Sequence, residues 1–407
     1  MSSTNFSNSL IDSHIFLASL RSKFGHNELP EGAAEKWALS ERLAKWLDNK
    51  DNLNCIYLCS NSVGLQPKCT KKYINKELKQ WEEMGVDGHF YGEEPWIYCD
   101  ERLLKGIVNL VGAKLTEEVE SPVFPSDYYA IESQLKLQGI NPLEAIICLK
   151  PRKGEECLLT EDILKIIEQE GDSIAIIFFS AVNYYTGWDL SHAIANIPLY
   201  LNKWNVDFAC WCNYKYACSG PGGFINERYK NEGISRQRLN GWWGHKLDSR
   251  FKMDNKMEPS EGVNGYRLST PSAILMAGVR GFLEVFSKTS INELRQKSLL
   301  LTAYLEFLLD NNKLFKQKNN IFTQITPSDQ NQRGCQLSLK FNNYQIDKIF
   351  KINPNVIRVS PVPLYNTFMD VWLFGCHMCG FILILRILGN RRGFFLKMRI
   401  CGFLKFN

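Results

Sequence analysis

Hydrophobic positions recur along this chain with two spacings, and each spacing predicts an element. Residues 1–50 carry Phe16, Leu17 and Leu20, then Trp37, Leu39, Leu43, Trp46 and Leu47, at helical intervals that suit a terminal packing arm. A short apolar stretch at 54–59 predicts a strand that runs into the polar turn 60–67. Over 68–84 charged residues alternate with Tyr73, Ile74, Leu78 and Trp81, an amphipathic helix that Gly85 stops. Residues 100–111 predict another helix, and 88–92 a loop holding His89. Helical spacing returns at 160–171, where Thr160 is placed to cap and Glu161 and Asp162 suit the positive end. Ile163, Leu164, Ile166 and Ile167 form its inner face, and Gly171 ends it.

Two continuous apolar runs, 174–179 and 206–212, predict strands covered on both faces. Helix followed by buried strand implies a doubly wound α/β domain, whose ligands sit at the carboxyl ends of strands. Ser180, Tyr185 and Lys215 fall at such ends. Past Gly241-Trp242-Trp243-Gly244-His245 the pattern changes to long helical runs at 272–286 and 291–309, with strands at 335–341 and 356–360. This is a smaller α+β segment.

Length and composition narrow the class. A chain of 407 residues, 45% hydrophobic and 22% charged, has the make-up of a soluble globular protein with room for two domains. The net charge of +5 is small for this length and argues against a nucleic-acid partner. Thirteen scattered cysteines fit a reducing compartment better than a disulfide framework, and 1–9 lack an apolar signal core, so the cytoplasm is expected. Cys376-His377-Met378-Cys379 is a lone pair of cysteines with no second pair, so no metal site is expected. The tail from 372 is strongly apolar and then basic; its uncharged stretch is shorter than the ~18 residues that span a bilayer.

The candidate chemistry gathers around 206–216. An apolar strand ending in Asn213-Tyr214-Lys215 holds an amine at the rim of a core, where partial desolvation favours the neutral, nucleophilic form. The loop Ser219-Gly220-Pro221-Gly222-Gly223 lets backbone N–H groups approach a ligand, a phosphate among the candidates. Upstream, Asp189 and His192 stand three residues apart. An acid, a histidine and a strand-end lysine in this order suit pyridoxal 5'-phosphate (PLP), with Lys215 as the Schiff-base residue and Asp189 on the pyridine nitrogen. The alternative for each residue taken singly is a solvated loop lysine or a core histidine.

Five blocks together resemble kynureninase. They are Ser60-Asn61-Ser62-Val63-Gly64-Leu65-Gln66-Pro67, the run 124–134 beginning Phe124-Pro125-Ser126-Asp127, Trp211-Cys212-Asn213-Tyr214-Lys215-Tyr216, the run 250–256 and the run 358–366. The similarity extends from about residue 10 to 371. It implies a PLP-dependent transferase fold of the aspartate-aminotransferase type: a large domain with a mostly parallel sheet, and a smaller α+β domain. It also implies a homodimer with active sites near the subunit interface. The activity implied is hydrolysis of L-kynurenine or its 3-hydroxy form to the anthranilate and L-alanine.

By the same resemblance Lys215 holds PLP and moves a proton, with Tyr185 assisting. Asp189, His192, Tyr214, Ser180, Phe124, Pro125, Ser126, Asp127, Trp242 and Thr270 surround the cofactor. Arg358 clamps the substrate carboxylate through its fork, and Ser62, His89 and Ser269 face the substrate. The implied division is 1–95 for an arm with part of the small domain and 96–265 for the cofactor domain. Residues 266–371 then make the rest of the small domain, and 372–407 an atypical tail.

The chain departs from the family pattern at definite places. Segments are missing at Glu120 and at Gly187-Trp188, with smaller gaps after Gly223 and near Ile352-Asn353. Ser269-Thr270 replaces Ser-Asn. Loss of sheet elements leaves backbone unpaired, so a catalytically inactive, truncated chain is the alternative reading. A membrane-surface role for the tail is a third, resting on 372–407 alone.

Overall fold

The computed structural model describes residues 56–111, 125–153, 158–174, 177, 190–201, 203–204, 208–221, 225–229, 239–252, 255–311, 322–341, 356–376 and 378. The expected arm at 1–50 and most of the tail lie outside them, as does the expected strand at 174–179 apart from two residues. The chain divides into two compact units, one spanning Cys69–Glu284 and the other built from Met1–Lys68 with Val285–Asn407.

The Cys69–Glu284 unit begins with α1 (Thr70–Met84), which ends where Gly85 takes φ 52°, a conformation that side chains disfavour. The expectation for its buried face is overturned. Leu78 and Trp81 are exposed, whereas Thr70, Glu77 and Gln80 are buried. These three recur at helical spacing on one face, where Glu77 and Gln80 are hydrogen-bonded from elsewhere in the unit and the Thr70 hydroxyl finds no partner among the described residues. Then come α2 (Glu101–Val111), α3 (Pro125–Leu137), the short α4 (Pro142–Ala145) and α5 (Thr160–Glu170). Thr160 is not the cap of α5: the cap position is Leu159, with no side-chain bond, so Thr160 is already helical. The intended inner face is only half-covered, and Leu164 is exposed.

After α6 (Leu190–Ala193), strand β1 (Phe208–Cys212) pairs antiparallel with β2 (Ile225–Tyr229). The strand expected at 206–212 is therefore present, and its described partner is antiparallel. Helix α7 (Ala273–Phe286) buries Met276, Ala277, Val279 and Phe282. Its small residues are spaced for close approach. A Cβ at Gly278 would strike the backbone of Ser219, and one at Gly281 would strike Thr70. Glycine at both positions thus lets α7 lie against the loop after Lys215 and against the start of α1.

In the other unit, α8 (Ile291–Asn311) packs on an antiparallel sheet of β3 (Phe322–Gln324), β4 (Leu337–Phe341) and β5 (Val356–Val359), in the order β3-β4-β5. Leu337, Leu339, Ile357 and Val359 point into a core shared with Leu301, Tyr304 and Leu305 of α8. Full burial of each such side chain is worth about 1.5–3 kcal/mol. A last helix, α9 (368–376), adds Phe368, Val371 and Phe374 to this core, and Met378 follows. The expected strand at 54–59 is reduced, over its described part, to extended chain with one parallel bridge between Cys59 and Ser360. Among the described residues no helix is long and apolar enough to cross a membrane.

Candidate active site

Strand β1 ends at Cys212, and the chain turns at once. Ser219 N–H donates to Asn213 O at 3.0 Å and Cys218 N–H to Lys215 O at 3.0 Å, closing a tight loop with Lys215 at its crest. Cys218 takes φ 50° and Gly220 φ 91° to complete it. Tyr216, Ala217 and Cys218 are buried, while Tyr214 and Lys215 are half-exposed, so the loop is anchored by the residues that follow Lys215. Lys215 Nζ stands 5.8 Å from the Tyr214 ring centre.

His192, on α6, is 1% exposed. Its ring meets Tyr216 edge-on at 5.6 Å, with Nδ1 3.5 Å from the Tyr216 hydroxyl, and Asn196 Nδ2 donates to its carbonyl at 2.8 Å. The histidine thus supports the residue next to Lys215. The Ser219 hydroxyl is buried with no hydrogen-bond partner among the described residues. A buried orphan donor four residues beyond a half-exposed amine, beside a buried imidazole, is a donor set that fits a pyridoxal group with an anionic arm. Of the expected cofactor residues, Phe124, Ser180, Tyr185 and Asp189 lie outside the described residues. Pro125, Ser126 and Asp127 form the first turn of α3.

A second group of aromatic side chains lies in the same unit. Trp242 is half-exposed, donates from Nε1 to Arg250 O at 3.0 Å, and meets Phe251 edge-on at 5.5 Å. Phe251 in turn meets Phe90 at 5.1 Å, the neighbour of His89. Arg250 is buried beneath, stacked 4.4 Å from the Trp243 ring centre and donating to the carbonyls of Trp243 and His245 at 2.9 and 3.0 Å. Burial lowers its affinity for the proton below the ordinary arginine value. His245 is structural: Glu258 N–H donates to its Nδ1 at 3.4 Å, so Nε2 carries the proton toward Ser249 Oγ at 2.9 Å. A Cβ on Gly241 would collide with the Leu268 backbone. That close approach brings Ser269 and Thr270, both exposed, just beyond the segment bearing Trp242.

In the other unit the first and last similarity blocks meet. Ser360 N–H donates to Leu58 O at 2.9 Å, and Ser360 Oγ to Asn61 Oδ1 at 3.3 Å. Ser60 Oγ bonds the Tyr365 hydroxyl, and Tyr57 Oη donates to Val63 O at 2.6 Å. Asn366 Nδ2 donates to Tyr57 O at 3.0 Å. Ser62 sits in this turn, its N–H on Cys59 O at 2.9 Å. Strand alternation sends Ile357 and Val359 into the core and leaves Arg358 half-exposed on the opposite side. Burial pushes the Cys59 thiol up to about 11, partly offset by the nearby Arg358 charge.

With these groups placed, similarity to known proteins is informative. Human kynureninase is 41% identical over 393 aligned positions, covering 81% of this chain and 84% of its own. The chain belongs to the kynureninase family. Kynureninase from Koribacter versatilis is 37% identical over 386 positions, covering 80% of this chain and 90% of its own. The family described as kynureninase C-terminal domain matches residues 294–378, so the likeness continues through α9 past the point where the resemblance had been expected to stop. The 393 aligned positions exceed 81% of 407 residues, so the human protein has internal residues with no counterpart here.

Solved structures define the fold. The cysteine desulfurase of Thermococcus onnurineus matches with a TM-score of 0.61 at 13% identity, covering 85% of this chain and 98% of its own. A complex of the cystine C-S lyase C-DES with cysteine persulfide matches at 0.57 and 12%, covering 80% and 97%. The kynureninase-family chain therefore has the PLP-dependent transferase fold that the family resemblance implies.

Sequence reasoning missed a set of residues behind His89. Glu77, Gln80, Trp96 and Arg280 form a buried or half-buried polar cluster there. Its one visible signal is a charged and amide face on α1 at the spacing of a buried stripe.

Proposed function

We propose that this chain is a PLP-dependent kynureninase. It hydrolyses the bond between Cβ and the aryl ketone carbon of L-kynurenine or 3-hydroxy-L-kynurenine, giving anthranilate or 3-hydroxyanthranilate and L-alanine. The observation that carries the reading is the 41% identity over most of both chains to human kynureninase. It is supported by a lysine held at the end of β1 above a buried histidine. PLP, when bound, supplies the electron sink that makes carbon–carbon cleavage accessible near neutral pH.

The chain's own residues then have separable tasks. Lys215 is the amine that bonds the cofactor and carries the proton that moves during turnover, with Tyr185 assisting. Asp189 keeps the pyridine nitrogen protonated, and His192 fixes the floor through Tyr216. Ser219, whose hydroxyl has no partner among the described residues, together with Ser180, Tyr214, Trp242 and Thr270, holds the cofactor and its phosphate. Phe124 stacks on the ring, with Pro125, Ser126 and Asp127 opening α3 beside it. Arg358 pairs with the substrate carboxylate, a charge-assisted contact whose planar fork also sets orientation. Ser62, Ser269 and His89 contact the remainder of the substrate.

The working form is a homodimer in the cytoplasm, acting in tryptophan breakdown toward NAD synthesis. The domain limits near 95, 265 and 371 are part of the same reading. The test is absorbance of the purified chain on adding PLP, followed by borohydride trapping and peptide mapping. An imine band with label on Lys215, lost in Lys215→Ala, and alanine released from kynurenine are expected. A folded chain with neither band nor label would leave the inactive reading in place.

A further inference from the structure

His89 sits at the end of a short 3-10 helix, Gly85–His89, and two neighbours govern its place. Gln80, buried on α1, donates from Nε2 to Gly88 O at 3.0 Å and to Glu94 O at 3.2 Å, tying both arms of the 88–94 loop to the helix. The Trp96 indole meets the His89 ring edge-on at 5.3 Å, 82° between planes. The same indole covers Gly88 so closely that a Cβ there would lie 2.9 Å from its Cζ3. Glycine at 88 is thus required for the contact.

Trp96 is itself held. Its Nε1 donates to Glu77 Oε2 at 2.9 Å, and Glu77 is 7% exposed. Arg280 Nη1 lies 3.5 Å from the other Glu77 oxygen. Arg280 stacks 4.3 Å from the Tyr73 ring centre and forks onto Glu94, whose Oε1 it reaches at 2.7 Å. Two carboxylates, one guanidinium and an amide, all largely withdrawn from water, make a rigid mount for one indole. Ordinary packing does not need so much buried polar chemistry, because an apolar cluster would serve at lower desolvation cost.

We propose that Trp96, fixed by Glu77 and Arg280, is a positioning residue that sets the His89 ring for substrate binding. This rests on the reading that His89 faces substrate. An edge-on aromatic contact is worth enough to bias one ring orientation by about two- to tenfold. Loss of the indole therefore acts on substrate affinity and leaves the cofactor chemistry alone.

The test is a double-mutant cycle in the PLP-loaded full chain, reading KM and kcat for kynurenine in wild type, Trp96→Leu, His89→Ala and the double variant. Trp96→Phe, which keeps a ring edge but loses the bond to Glu77, is included with each, and PLP absorbance verifies that every variant is folded. The expected result is a KM raised about fivefold by Trp96→Leu with kcat within about twofold, a smaller rise for Trp96→Phe, and no further rise when His89 is already alanine. Equal Trp96 effects in both backgrounds would overturn the positioning role while leaving His89 as a substrate contact. No effect of His89→Ala on KM would overturn both. Should Trp96→Leu not fold, Trp96→Phe in the same two backgrounds decides by the same criterion.

Discussion

Arg333 and Glu306 form the most completely buried ion pair among the described residues. Their side chains are 1% and 5% exposed, and the guanidinium reaches both carboxylate oxygens, at 2.5 and 2.7 Å. Arg333 also donates to Pro327 O at 3.0 Å, and Gln324 Nε2 donates to Glu306 Oε1 at 3.0 Å. Replacing Arg333 by methionine keeps much of the volume but removes both guanidinium bonds to the Glu306 carboxylate. Breaking a buried ion pair by removing one partner costs about 3–5 kcal/mol, a large part of the ~5–15 kcal/mol that stabilises a domain.

Urea denaturation of the full chain, followed by far-UV circular dichroism, should show the unfolding free energy of Arg333→Met lowered by about that amount, read as a lower midpoint at unchanged slope. A further variant, Arg333→Met with Glu306→Leu, removes both charges. It should recover most of the loss, because a packed apolar pair avoids the desolvation cost. A single variant within about 1 kcal/mol of wild type would refute the reasoning. So would a double variant no more stable than the single one, since the loss would then come from packing rather than from the charge left without its guanidinium.

Two further outcomes follow from shifted protonation. Burial pushes the Glu94 carboxyl up, but hydrogen bonds and charge from Arg280 and Lys76 outweigh it and hold the group below its ordinary value. A carboxyl depressed on folding adds stability that is complete above its unfolded pKa and lost as pH falls through the folded one. Thermal midpoints measured from about pH 6 down to about pH 3 should therefore fall more steeply for wild type than for Glu94→Gln, and parallel curves would contradict this. The Cys59 thiol, pushed to about 11 and half-buried, should resist iodoacetamide at about pH 8 while exposed Cys148 and Cys376 react, as read by peptide mapping. Rapid labelling of Cys59 would count against the placement of its turn.

The elements legible in the sequence are those whose own residues determine them. The helices at 100–111 and 291–309 follow from apolar spacing alone, and the structure returns them as α2 and α8. The lysine at the strand end was visible only as a candidate, because an apolar run followed by Asn213-Tyr214-Lys215 also suits a solvated loop lysine, and the similarity blocks taken together favoured the amine. The face of α1 was not legible. Glu77 and Gln80 are buried because an indole, a guanidinium and loop carbonyls arrive from residues 88–96 and 280, and spacing within the helix cannot reveal those partners. Thr160 illustrates a smaller failure, since a good capping residue one position too late is simply the first residue of the helix. The reduced strand near 54–59 has the same origin as α1: its pairing depends on Ser360, far along the chain.

That last pairing has a consequence for synthesis. Ser60 and Tyr365 are 305 positions apart, yet their hydroxyls bond within one unit. At about 5–20 residues per second a ribosome takes roughly 15–60 s to deliver the second partner after the first. Throughout that interval the segment around Leu58 has no strand to join and its apolar side chains have no core. The Cys69–Glu284 unit, whose residues all lie between the two partners, has no such wait. Assembly of these two units is therefore ordered in time, and the segment around Leu58, though made before the Cys69–Glu284 unit, is sheltered from chaperones and proteases after it.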